Sequence, residues 1–277
     1  MPLPVPSQDD QFRRLVDIME ALLSEQGCPW DREQSHRTLR PYVVEEACEV
    51  VDAIDDGDDE ELRHELGDLG LQIVFHAALA RRRGAFDVDG VYRAICEKLI
   101  RRHPHVFGDT EVDGSGQVLR NWEAIKRAER TAKGEAERPV SALDGVPRAL
   151  PGLQRASRLQ DKARRVNFDW TDIRDVFAKV REEVEELERE AAAGDAADHS
   201  RVEDEFGDLL FALVNLGRFL KVDSEAAIQR TNAKFLRRFH HMEDALRAQG
   251  RQPAECTLEE LDALWNKAKA AERAPAQ

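Results

Sequence analysis

Apolar residues along this chain recur every three or four positions, not every second one. Such spacing gathers them on one side of an α-helix. Residues 8–26 show it first, with Phe12, Leu15, Val16, Met19, Leu22 and Leu23, and Gly27 as the stop. Cys28-Pro29-Trp30-Asp31 reads as the start of a loop, and a second helix begins near Pro41, proline being tolerated in a first turn. Asp55-Asp56-Gly57-Asp58 breaks that helix, and Asp58 with Glu61 forms a capping box for a third, whose apolar stripe is Leu69, Ile73, Val74 and Ala77. A fourth helix runs from Val88 to Arg102 and stops before Pro104; after a Gly/Asp loop over 108–116 comes a short helix with Trp122 and Lys126. Later helices are expected at 152–166, 172–193, 200–220, 224–249 and 258–272, with Leu209, Leu210, Leu213 and Leu216 as core and a Thr257/Glu260 capping box. No run alternates apolar and polar residues, so the expected class is all-α.

The same acidic pattern occurs twice. Glu45-Glu46-x-x-Glu49 recurs as Glu182-Glu183-x-x-Glu186 at an offset of 137, and Glu65-Leu66-Gly67-Asp68 recurs as Glu205-Phe206-Gly207-Asp208 at 140. Lys98 to Arg102 matches Lys234 to Arg238 at 136, and Trp122 with Lys126 matches Trp265 with Lys269 at 143. Four patches in one order, with offsets differing by a few loop residues, make the chain a tandem duplication of one helical-bundle module. Gly, Pro and Ser concentrate between the copies, so the expected layout is a module at 8–133, a linker at 134–151 and a module at 152–272. Asp52 stands outside the pattern, because Arg189 occupies its place in the second copy.

Composition narrows the partners. Net charge is −14, which argues against a nucleic-acid polymer or an anionic membrane surface as the main one. Four cysteines without Cys-x-x-Cys spacing read as reduced thiols, and the first residues carry no basic-then-apolar leader, so a soluble, cytoplasmic protein is expected.

On a helix advancing ~100° per residue, Glu182, Glu183 and Glu186 share one face, as do Glu205 and Asp208. If the two segments pair antiparallel, their carboxylates converge, and an all-oxygen anionic set suits Mg²⁺, with Mn²⁺ as a substitute. Lys234, Arg237, Arg238 and Lys269 can offset phosphate charge, Trp265 can stack a base, and Glu182 is placed to act as general base. Together they indicate hydrolysis of a phosphoanhydride. Gly67 and Gly207 each cost a helix interior about 1 kcal/mol against Ala; close helix approach and room for a ligand both account for them. Neither a phosphate-loop signature nor a nucleophile elbow is present.

These acidic motifs, with Gly27 to Asp31, Asn167 to Trp170 and Lys234 to Arg238, resemble the MazG nucleotide pyrophosphohydrolases from about residue 10 to 272. The resemblance implies the all-α module shared with all-α dUTP pyrophosphatases, acting as a homodimer. It implies Mg²⁺-dependent hydrolysis of ribo- and deoxyribonucleoside triphosphates to monophosphate and pyrophosphate, with links to nucleotide-pool cleaning and stringent-alarmone control. It assigns Glu183, Glu186, Glu205 and Asp208 as metal ligands, and Lys179, Glu182, Lys234, Arg238 and Trp265 as nucleotide contacts. Glu46, Glu49, Glu65 and Asp68 are the corresponding second metal set; the second copy carries more weight, since Lys179 and the run from Lys162 to Trp170 have no clear counterpart in the first. Two alternatives remain: a narrow dUTPase-like enzyme, and a helical regulatory protein with structural metal sites only.

Overall fold

A computed structural model describes residues 10–132, 141–192, 194 and 198–272. The chain divides into two compact units, Met1–Glu135 and Ala136–Gln277. All regular structure among the described residues is helical. The first unit contains α1 (Gln11–Leu23), α2 (Pro29–Glu33), α3 (Arg40–Asp56), α4 (Asp59–Arg82), α5 (Val88–Arg102), α6 (Pro104–Phe107) and α7 (Ser115–Ala132). The second contains α8 (Gly152–Arg164), α9 (Ile173–Ala191), α10 (His199–Phe219), α11 (Ser224–Arg247) and α12 (Leu258–Ala271).

Aspartate starts half of these twelve helices. The Asp10, Asp58, Asp87, Asp172, Asp198 and Asp223 carboxylates each accept a hydrogen bond from a backbone N–H of the first turn. They satisfy donors that have no partner inside the helix. At α4 the side-chain half of the expected box is present, Asp58 accepting from the amides of Glu60 and Glu61; at α12 the Thr257/Glu260 box is complete. Gly57 ends α3 at φ 69°, a left-handed conformation that favours glycine.

In the first unit α1 and the start of α5 pack on α4, and Met19, Leu23, Leu39, Val74, Phe75 and Val88 form a buried cluster. In the second unit α8 packs on α10 and α11 on α12. The strongest pairing in each is a helical hairpin, α3 with α4 and α9 with α10. Its direction follows from its cross-links: Glu190 pairs with Arg201 at 2.6 Å, whereas Glu183, earlier in α9, lies beside Asp208, later in α10. The hairpins are therefore antiparallel.

Four sequence expectations need correction. The stretch after Cys28 is a helical turn, α2, led by Pro29 at its first position. The helix carrying Trp122 has 18 residues and is not short. In α10 the buried residues are Ala212, Val214 and Asn215, while Leu210 and Leu213 are 38% and 43% exposed. Periodicity gives the apolar stripe but not which part of it the same chain covers. Ile73 of α4 is exposed in the same way.

Candidate active site

In the second hairpin, carboxylate oxygens of Glu183, Glu205 and Asp208 lie within 4.8 Å of one another. Glu183 is the buried member, only 5% exposed. A buried carboxylate needs compensation, and Lys179, one turn earlier on α9, supplies it with Nζ 2.7 Å from Glu183 and 2.9 Å from Glu182. Hydrogen bonds to Glu183 and then Glu182 hold the Lys179 ammonium well above the ordinary lysine range. Partial burial pushes the Glu205 carboxyl up, and the carboxylates of Glu186, Glu183, Asp208 and Glu190 add to it. Glu186 and Glu190 have Arg189 and Arg201 as partners, but among the described residues Lys179 alone faces Glu182, Glu183, Glu205 and Asp208. The excess of negative charge is the condition for holding a cation.

The expected residues divide into two groups. Glu183, Glu205 and Asp208 converge, with Lys179 and Glu182 on the rim. Glu186 acts electrostatically on Glu205, but its carboxylate is turned to Arg189 at 3.1 Å and stands outside the close triad.

Lys234, Arg237, Arg238, Trp265 and Lys269 lie instead on α11 and α12. Arg238 is bound to Glu272 at 2.7 Å, and Arg237 reaches the same carboxylate at 3.7 Å. Hydrogen bonding to Arg238, with the nearby charges of Arg238, Arg237 and Lys234, keeps the Glu272 carboxyl below its ordinary range. Arg238 also lies over the Trp265 ring, 5.7 Å from its centroid, and Phe235 packs on Trp265 at 5.0 Å. Among the described residues no ion pair or hydrogen bond joins this group to the acidic triad.

Glu272 also belongs to the repeat. Glu129 precedes it by the same 143 residues that separate the tryptophans. In the first unit Glu129 binds Arg101 at 2.7 Å and Arg102 at 2.6 Å, so both copies build the same clamp. Arg102 first, then Arg101, holds the Glu129 carboxyl at about 2, below the ordinary 4.5. A depressed folded value means the stabilisation is complete above the ordinary value and is lost as pH falls through the folded one. E129Q is therefore expected to flatten the acid-induced loss of stability below about pH 4.5. Urea midpoints measured across that range check this; an unchanged pH profile would contradict it.

The first hairpin repeats the acidic geometry, with Glu46, Glu49 and Glu65 oxygens within 4.8 Å and Asp68 acting on Glu46 and Glu65. Gly67 and Gly207 resolve an open choice. A Cβ built at either meets nothing within 4 Å, so no element of this chain approaches there and the glycines border open space.

The MazG nucleotide pyrophosphohydrolase domain matches residues 34–107 and again residues 173–243, spanning both acidic hairpins. The chain belongs to the MazG family. Among its relatives, the nucleoside triphosphate pyrophosphohydrolase/pyrophosphatase MazG of Thermotoga maritima is 45% identical over 93% of this chain and 95% of its own length. The nucleoside triphosphate pyrophosphohydrolase of Escherichia coli K12 is also 45% identical, over 94% and 97%. A crystal structure of a mazG-related protein from Thermotoga maritima covers 42% of this chain and 98% of that one, at 29% identity and a TM-score of 0.37. Two MazG domains in one chain agree with the internal repeat.

Proposed function

We propose that this MazG-family chain hydrolyses nucleoside triphosphates to monophosphate and pyrophosphate, with its principal site on the second hairpin. The observation that carries this reading is the convergence of Glu183, Glu205 and Asp208 around a buried carboxylate clasped by Lys179. The donor set is all oxygen and exceeds in charge its two cationic partners, Lys179 and Arg189, so it fits a hard divalent ion, Mg²⁺ before Mn²⁺, held by Glu183, Glu186, Glu205 and Asp208. Such an ion, when bound, neutralises phosphate oxygens and acidifies water. Glu186 needs only to leave Arg189, an exposed pairing of little net strength, to join the set.

The chain's own groups then have distinct tasks. Glu182, outside the triad and on the rim beside Lys179, takes the proton of the water that attacks the α-phosphorus. The bond from the α-phosphorus to the bridging oxygen breaks, and pyrophosphate leaves with the electron pair. Lys179 keeps Glu182 and Glu183 in place. Lys234, Arg237, Arg238 and Lys269 supply positive charge for phosphate, while Trp265 with Phe235 offers a stacking face. Stacking accepts every base, which supports a broad base range. Activity on both ribo- and deoxyribonucleotides, and a role in nucleotide-pool cleaning or alarmone control, are carried by the family resemblance alone.

The test is product identity. With Mg²⁺, ATP is expected to give AMP and pyrophosphate in equal amounts, and chelation by EDTA is expected to stop the reaction. ADP with phosphate as products, or full activity in EDTA, would reject the reading. Rates across ribo- and deoxyribonucleoside triphosphates separate it from a dUTPase-like enzyme, for which one base alone would be turned over.

We also infer a homodimer. Phe206, Leu210 and Leu213 make an exposed stripe on α10, and Leu66 and Ile73 make its counterpart on α4. An uncovered apolar stripe on a two-helix hairpin is half of a four-helix core, and a second copy of the chain completes it symmetrically. Light scattering is expected to give twice the 31.4 kDa chain mass; a monomer at micromolar concentration would refute this. Four free thiols support a reducing, cytoplasmic location. No described helix is long and apolar enough to cross a membrane.

A further inference from the structure

The Arg238 guanidinium is fixed along one edge and one face. Along its edge, Nε and Nη2 both donate to Glu272 Oε2, at 2.8 and 2.7 Å. Its face lies over the Trp265 ring, which is itself packed on Phe235. The side chain is only 15% exposed. A guanidinium carries five N–H donors in one plane. Glu272 takes two of them, and among the described residues the Nη1 end has no hydrogen-bond partner. Arg237 reaches the same carboxylate only at 3.7 Å and is 65% exposed, so Arg238 is the ordered member of the two.

Local helix stability does not account for Glu272. It is the C-cap residue of α12, where the helix dipole favours a cation and disfavours an acid. The first unit makes the same choice, placing Glu129 in the last turn of α7. Glu129 takes Arg102 along the same edge, from Nε at 3.3 Å and from Nη2 at 2.6 Å. An acid kept twice where its own helix opposes it is explained by what it holds. A simple staple of α11 on α12 needs only the charge pair. The second unit adds an aromatic ring under the guanidinium and an unused donor end beyond the clamp.

We propose that Glu272 is a positioning residue of the nucleotide site: it clamps Arg238 so that the Nη1 end stands ready as a fork for triphosphate oxygens. The inference rests on the hydrolytic reading given above. A guanidinium fork matches phosphate oxygens two at a time. A free arginine must give up its rotamer freedom each time a ligand binds, whereas one already clamped and stacked has given it up on folding. Glu272 therefore tightens binding although it carries the same sign of charge as the substrate. If it instead competed with phosphate for Arg238, removing it would have the opposite effect.

The experiment measures ATP turnover, and binding of the non-cleavable analogue α,β-methylene-ATP, both with Mg²⁺ and the full chain. E272A is expected to raise KM for ATP and Kd for the analogue about fivefold, the scale of ordering one long side chain, with kcat within about twofold of wild type. In an R238K background E272A is expected to add no further rise, because a lysine ammonium offers no edge to clamp. Circular dichroism melting establishes that each variant is folded, and E272Q, which keeps the shape of the side chain, carries the test should E272A not fold. A fall in KM would make Glu272 a competitor of phosphate, and an unchanged KM would make the clamp a staple; either result overturns the proposal. So does the same rise in both backgrounds. Wild type that binds the analogue without turning over ATP fails the hydrolytic reading alone, and Kd of the analogue still tests Glu272. Wild type that turns over ATP with the same constants as E272A fails this inference alone, and wild type that does not bind the analogue overturns both.

Discussion

Asp208→Asn is expected to lower pyrophosphate release by roughly a hundred- to a thousandfold, the scale on which one preorganised electrostatic contact acts. Asp208 is the exposed member of the triad with Glu183 and Glu205. Asparagine keeps its shape and removes one negative charge from a set whose purpose is to hold a divalent ion. Little stability should be lost, because an exposed acid among like charges gains little in the folded state. The prediction is therefore a separation of effects: turnover falls while the urea midpoint stays within about 0.5 kcal/mol of wild type. Raising Mg²⁺ should recover part of the rate, since the defect lies in holding the ion. The equivalent Asp68→Asn is expected to cost less, the first hairpin having no counterpart to Lys179. Equal losses from both variants would mean that the two units share the chemistry. Full activity in D208N would end the assignment of this hairpin.

The largest stability effect is expected from Arg218→Met. Arg218 Nη2 donates to Asp169 at 2.5 Å and to Asn215 at 2.6 Å, and both members of the ion pair are 13% exposed in their side chains. The guanidinium lies over Phe219, 4.9 Å from its centroid. The pair ties the turn at Asn167, which has φ 63°, to the second half of α10. Methionine leaves a half-buried Asp169 without its cation, held only by the Trp170 amide at 3.0 Å. The cost therefore approaches but does not exceed the roughly 3–5 kcal/mol of a broken buried pair. Removing both charges in D169L/R218M should cost far less than the single change, because no charge is then stranded. Urea unfolding of the singles and the double measures this coupling. An R218M loss below about 1 kcal/mol would show that the stranded Asp169 finds water or another partner.

The helices and the repeat were legible because their signals are local. A stripe of apolar residues and an aspartate before the first turn act over a few positions, so α3 to α5 and α8 to α12 fall close to their expected bounds. Antiparallel pairing made Glu183, Glu205 and Asp208 neighbours, as the repeated spacing implied. The basic residues were less legible. The charge of Arg237 and Arg238 suits phosphate, yet the negative charge they meet in the fold is Glu272, 34 positions after Arg238. The spacing of Leu210 and Leu213 predicts core, and the chain leaves them exposed. Asp169 and Arg218, 49 residues apart, gave no signal of their pairing.

By itself the sequence determined the all-helical class, the duplication and the acidic faces, since these depend on residue spacing within single helices. Tertiary structure decided how each charge is compensated: Lys179 on Glu183, Glu272 on Arg238, and the Gln72 amide on Glu46. The reason is physical. A charge pairs with whatever the fold brings within about 4 Å, and that neighbour is set by how helices cross and not by the residues that precede or follow it.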